Sequence, residues 1–514
     1  MSAKSTEEIV VIGSGLGGLA AAIRLAHQGH RVRILEKLAR PGGRSGIWEA
    51  DGFRFDTGPT LLLMIDQLRE LFAAVDRRLE DYLELTQLDP NYRIHFADGS
   101  HFDNTSVLNK LIAEAERLEP GVGPRLLEFL ALTQRQYTIG VEEFVSKNFT
   151  RWWQFLNVTK LRQLFQVRAH QTLYPMVGRY FKDRRLREAF SFQSMYLGIS
   201  PYESPAVYAL LPFTETGLGL YFPKGGIYAI VEALVKIAEE LGVTLETRWE
   251  VATIHHAHGR VTEVESKDGR RLEASMVVAN ADLPYVTKHM LPDMPYPRQK
   301  HLRYTCSGFL MYLGVEGDYP ELKHHNLIVS RDLRRNFQRI FHDMQLPDDP
   351  AYYICNPSKT DPSLAPEGCE NLYVLVPVPH QTPNIDWAVE GKRYRDQMID
   401  RLEVFGLTDL RKRIRVERIF TPDDFRVELN SEMGSAFGLA HHIPQIGYFR
   451  PHNRHSKLGN LYFVGASTQP GTGIPMVLIS ARLVAERIGA EQKAPRGATG
   501  ASSPSRPTPQ PAKG

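Results

Sequence analysis

The 514-residue sequence predicts an α/β fold with a Rossmann-like dinucleotide-binding unit. Three observations carry that prediction. A glycine fingerprint sits between two short apolar runs near the N-terminus, and a second glycine turn feeds an amphipathic helix after Gly473. The composition, 42% hydrophobic and 24% charged, is that of an ordinary globular chain. A net charge of +3 is too small to mark a nucleic-acid binder. Cys306, Cys355 and Cys369 form an odd set without CxxC spacing, so neither a disulfide framework nor a metal site is expected, and a reducing, cytoplasmic location fits. Met1 to Glu8 is polar, so no secretory leader is expected. No stretch approaches the roughly 18 apolar residues of a membrane-spanning helix.

The opening stretch "EEIVVIGSGLGGLAAAIRLAHQGHRVRILEK" reads as strand, tight turn, helix, strand. Ile9 to Ile12 has the length of a buried strand, and Gly13, Gly15 and Gly18 supply the G-x-G-x-x-G spacing directly after it. Leu19, Ala22, Ile23 and Ala26 recur at helical spacing, Gly29 ends the helix, and Val32 to Leu35 forms the next strand. In this pattern Gly13 permits the turn, Gly15 lets a pyrophosphate reach the backbone, and Gly18 lets helix and sheet pack closely. The helix start offers free N–H groups to phosphate, and Glu36 can accept hydrogen bonds from a ribose. "LARPGGRSGIWEADGFRFDTGPT" then makes a glycine-rich excursion and alternating strands where a simple nicotinamide enzyme would continue into further βα units. That favours FAD over NAD. Arg44 is a candidate phosphate or ribityl contact, or else a solvated arginine.

Several stretches together resemble the bacterial and fungal carotenoid desaturases of the phytoene desaturase type, within the FAD-dependent amine-oxidase-like flavoproteins. They are "EKLARPGGRSG", "DGFRFDTGPT", "SFQSMYLGISPYESPAVYALL", "GLYFPKGGIYAIVEAL", "GSAFGLAHHIPQIGYFRPHNR" and "NLYFVGASTQPGTGIPMVLISARL", spread from Ile9 to Ile488. The resemblance implies a Rossmann-like FAD/NAD(P)-binding domain gathered from residues 1–67, 221–283 and 456–488. Residues 68–220 and 284–455 would form a discontinuous α+β substrate- and membrane-binding domain. The FAD contacts it implies are Gly13, Ser14, Gly15, Gly18, Glu36, Lys37, Gly43, Arg44, Gly58, Pro59, Thr60, Val251, Gly465, Ala466, Ile474, Pro475 and Met476. Val251 would lie on a strand against the adenine. N–H groups near Gly473 to Met476 would meet the flavin pyrimidine, which gains negative charge on reduction. Local pattern agrees: Ile227 to Leu241 reads as an amphipathic helix, Asp268-Gly269 as a hairpin turn, and Met276 to Ala279 as a buried strand.

The implied activity is FAD-dependent dehydrogenation of a linear carotenoid precursor. The cofactor carries the hard step, so no Ser–His–Asp arrangement is required. No catalytic acid or base is assigned. His441 and His442 are expected to hydrogen-bond structurally, with an acid–base role for one of them as the alternative, and His255, His256 and His258 to lie at the surface. Residues 146–182 contain no Asp or Glu and interleave Lys147, Arg151, Lys160, Arg162, Arg168, Arg179 and Lys182 with Trp152, Trp153, Phe155, Leu156, Leu161, Leu164 and Phe165. This suits an interfacial helix on the cytoplasmic face of a membrane; the alternative is a core-facing helix with a solvated basic side. Quinone or dioxygen would reoxidise the flavin, since no second nucleotide fingerprint exists. Isomerisation, later carotene desaturation, terminal oxidation, amine oxidation of a small substrate, and a non-catalytic flavin-binding role remain open. Residues 491–514 are expected to be disordered.

Overall fold

The computed structural model describes residues 8–155 and 157–493. Its first sheet is built from β1 (Glu8–Ile12), β2 (Arg31–Leu35), β3 (Thr244–Glu246), β4 (Met276–Ala279) and β5 (Leu461–Phe463). The order is β3-β2-β1-β4-β5, and every neighbouring pair is parallel. Alternation along β1 explains how the layers form. Ile9 and Val11 pack into a core with α1 (Leu16–His27), α2 (Tyr228–Glu240) and α3 (Ile474–Lys493). Val10 and Ile12 point the other way, into a core shared with Val251, Ile254 and Val264 of a three-stranded antiparallel sheet. The run Ala20 to Ala22 has no side chain beyond Cβ, which lets α1 lie close to its neighbours. The hairpins of the antiparallel sheet turn at His258-Gly259 and at Asp268-Gly269. The last helix runs on to Lys493, three residues into the stretch expected to be disordered, and residues 494–514 lie outside the described residues.

A seven-stranded mixed sheet supplies the second part. Its order is Ile414–Phe420, Ser307–Glu316, Cys369–Val378, Tyr352–Cys355, His325–Ile328, Tyr92–His95 and His101–Asn104. All pairs are antiparallel except His325–Ile328 with Tyr92–His95. Helices between Leu108 and Ala209 cover one end with an aromatic core that includes Phe129, Phe181 and Phe190. Between the two sheets runs one cavity of about 650 Å³.

Candidate active site

The cavity begins outside the carboxyl ends of β1 and β4, where the strand order reverses, the position at which open α/β sheets hold ligands. Gly13 has φ +92°, a left-handed turn that glycine makes without strain, and its N–H donates to the Leu35 carbonyl at 2.8 Å. A β-carbon on Gly18 would lie 2.1 Å from the Gly13 carbonyl oxygen. Asn280, directly after β4, fills the space other missing β-carbons leave. One on Gly15, Gly17 or Gly465 would fall 2.8, 2.7 or 2.9 Å from its amide group. The start of α1 thus presents bare backbone and N–H groups that lack intrahelical partners. Glu36 is buried on the cavity wall. Its Oε2 accepts from the Ser14 N–H (2.7 Å) and hydroxyl (2.6 Å), and its Oε1 accepts from the Leu38 N–H (2.8 Å).

Further along, Arg44 sits in the short turn Gly43–Ser45 that follows a left-handed Gly42 (φ +118°). Its Nη2 donates to Ser431 Oγ at 3.1 Å, while its Nε is buried without a partner. A β-carbon on Gly58 would be 1.8 Å from the Arg44 carbonyl oxygen, so the two loops touch through backbone alone. Asp282 is buried beside Arg44 and accepts from the Ser467 hydroxyl and the Glu432 N–H. Burial raises its carboxyl above the ordinary value, with Arg44 opposing. The C-terminal loop is pinned by Arg450, whose fully buried guanidinium donates to the carbonyls of Leu439, Ala440, Gln445, Ala466 and Thr468. Burial pulls its pKa down to about 10. His441 is buried and held neutral; its Nε2 accepts from the Thr472 N–H at 3.3 Å, the hydrogen-bonding position expected of it.

All the residues expected to contact a cofactor line this cavity except Ser14 and Gly18, which lie immediately behind its wall. Asn280, Asp282 and Arg450 escaped the sequence reading. A polar residue just past a buried parallel strand was the available signal for Asn280 and Asp282. Arg450 acts only through backbone carbonyls 5 to 18 residues away in irregular loops, which no periodic pattern marks. His255 and His256 lie elsewhere, paired with Glu265 (2.6 Å) and Asp293 (2.8 Å).

Beyond the loops the wall becomes aliphatic and aromatic, with Leu210, Leu310, Phe337, Leu375 and Phe437 among its residues. Phe144, Phe149, Phe155, Leu164 and Val167 extend it to the basic segment. There Trp152 (56% exposed), Trp153, Leu161 and Phe165 (67% exposed) face outward. Phe155 and Lys160 depart from the expected interfacial pattern. Phe155 packs on Phe144 and Phe149, and Lys160 is buried in an ion pair with Glu143. Behind the wall residue Tyr92 lies a buried carboxyl: Glu215 Oε2 accepts from the Tyr92 hydroxyl (2.7 Å) and Gln193 Nε2 (3.2 Å). Burial pushes Glu215 up to about 7.

A Rossmann-ordered sheet whose glycine loops open onto one apolar cavity defines a dinucleotide-dependent oxidoreductase, and the chain belongs to the flavin-containing amine oxidoreductase family, which matches residues 16–489. FAD is its cofactor. The chain is 49% identical over 483 residues to the zeta-carotene-forming phytoene desaturase of Myxococcus xanthus, covering 93% of each chain. It is 39% identical over 497 residues to the carotenoid 3,4-desaturase of Haloarcula japonica, covering 95% of this chain and 99% of the relative. Among solved structures, cyclohexylamine oxidase from Brevibacterium oxydans shares the fold with a TM-score of 0.60 at 15% identity, over 95% of this chain and 100% of that one.

Proposed function

We propose that this chain dehydrogenates a linear carotenoid precursor such as phytoene, working from the face of a membrane. The observation that carries this reading is the continuity of one cavity from the glycine loops along an apolar wall to Phe155 and Leu164, in the segment whose Trp152 and Trp153 are exposed. When bound, FAD supplies the acceptor for a hydride while the neighbouring carbon of the substrate loses a proton. The residues fit that cofactor. The start of α1 favours the pyrophosphate, Arg44 Nε is a buried donor without a partner, and Glu36 retains lone pairs for a ribose. Gly465, Ala466 and the start of α3 would approach the flavin through backbone. The aliphatic wall excludes water and holds an extended polyene; Asn280 and Arg450 keep the loops that frame it in place.

Residues 146–182 serve as the membrane contact, with Trp152, Trp153 and Phe165 at headgroup depth and the surrounding lysines and arginines meeting anionic lipid. Among the described residues no helix is long and apolar enough to cross a membrane, so peripheral contact is the mode that fits. Quinone or dioxygen would serve as the electron acceptor. A later-step substrate bearing a hydroxyl is the second reading. It is favoured by Tyr92 and Tyr196, two phenols on the otherwise apolar wall of the cavity. Expression in cells that accumulate phytoene tests the first reading: a product absorbing at longer wavelength is expected. Unchanged phytoene, with conversion only of a supplied hydroxylated carotene, would move the assignment to the second.

A further inference from the structure

The seven-stranded sheet holds a second cluster of reactive side chains. His324 precedes strand His325–Ile328, and His325 is the ladder partner of Cys355, the last residue of strand Tyr352–Cys355. One ring nitrogen from each histidine and the Cys355 sulfur lie within 4.8 Å of one another, and all three residues are buried. The Nδ1 of His324 meets Thr360 Oγ1 at 2.6 Å, and the Nδ1 of His325 meets the Tyr353 hydroxyl at 2.6 Å. The Nε2 of each ring is buried with no partner at all. Leaving one such nitrogen unpaired in the interior is unfavourable, so two together ask for an occupant.

We infer that His324, His325 and Cys355 bind a thiophilic d10 cation, Zn²⁺ or Cu⁺. Two imidazoles and a thiolate are a donor set these ions prefer to oxygen-seeking Mg²⁺ or Ca²⁺. Ligand atoms around such an ion stand about 3.5 Å apart, which small side-chain rotations reach from the observed spacing. Binding displaces the Cys355 thiol proton to solvent, so the thiolate alone balances Cu⁺. For Zn²⁺ a second negative charge is at hand in Asp56, which borders the same small cavity as Cys355. Each Nδ1–H then donates outward, His324 to Thr360 and His325 to Tyr353. The Tyr353 hydroxyl is in turn free to donate to Thr60 Oγ1, 2.8 Å away on the wall of the main cavity. Orienting partners of this kind are what a metal-bound imidazole requires. The inference departs from the sequence expectation of no metal, because adjacency of Cys355 to the histidine pair exists only in the folded sheet. It stands whether or not the substrate is a carotenoid.

The test uses the full-length flavoprotein. Stripped protein is incubated with Zn²⁺, or anaerobically with Cu⁺, then desalted and measured by mass-spectrometric metal analysis against flavin absorbance. About one equivalent per chain of one of the two ions is expected, falling about tenfold or more in Cys355→Ala and in His324→Gln. Cobalt loading should give a thiolate-to-metal charge-transfer band in the wild type that Cys355→Ala lacks. If a variant loses its flavin, the wild-type cobalt band decides alone. Far less than one equivalent in both arms, equal loading of wild type and flavin-retaining variants, or, where Zn²⁺ is the ion retained, a cobalt spectrum without the thiolate band overturns the inference.

Discussion

Glu215 is a carboxyl where water does not reach, and its environment sets a pH dependence. Its folded pKa, about 7, stands above the ordinary 4.5, so the folded state holds a proton that the unfolded state has released. The stabilisation tied to that proton is complete below pH 4.5 and is lost as pH rises through about 7. Its full extent is about 3 kcal/mol. Denaturant titrations across that window should show stability falling with pH in the wild type and a flatter profile in Glu215→Gln, whose amide oxygen can still accept from Tyr92. Parallel profiles would remove Glu215 as the cause. Single residues also mark where sequence reading stops. Gly13, Gly15 and Gly18 were legible because their spacing encodes a local turn. The placement of Asn280 beneath three other glycines is a long-range fact, visible only once β1 and β4 lie side by side.

Among elements, the helices Trp152–Phe155 and Val158–Gln166 carry the membrane proposal. Their composition alone left membrane and core readings open, because an amphipathic helix has the same period whichever phase it buries. The fold sorts inward from outward positions: Phe155 turns inward, while Trp152, Trp153 and Phe165 form the exposed aromatic face that the proposal uses. Replacing Trp152 and Trp153 together by serine should weaken sedimentation with anionic vesicles on the order of tenfold, with flavin content unchanged. Undiminished sedimentation would assign the contact to another surface. The strands β3 and β5 are three residues each, too short for periodicity to predict with any sharpness. β1, α1, β2 and α2 were readable because apolar pattern, glycine stops and length agree there.

At the scale of the molecule, one cofactor is expected to touch loops after β1, β2, β4 and β5, so it acts as a cross-link between distant stretches of chain. Removing it should loosen all of them together. FAD at about a hundredfold above its dissociation constant adds about 2.7 kcal/mol to the folded state. For a chain this long, melting of deflavinated protein should rise by about 2–5 °C on adding FAD, with AMP giving less. No shift would argue against a shared site. The architecture at this scale was legible only through the spread of matching motifs along the chain. Composition and periodicity locate elements, but they do not say which distant strands become neighbours.

The strand order has a consequence in time. β1 pairs with β4 across 267 positions (Ile9 to Met276), and the sheet is finished only by β5, beginning at Leu461. At roughly 5–20 residues per second, a ribosome needs roughly 20–90 s to pass from the end of β1 to β5. Throughout that interval the edge of β1 that will meet β4, and later the edge of β4 that will meet β5, stand unpaired beside apolar faces. Nascent chains in that state invite chaperones or one another. Flavin capture, which draws on loops from both sides of that interval, therefore follows the synthesis of β5.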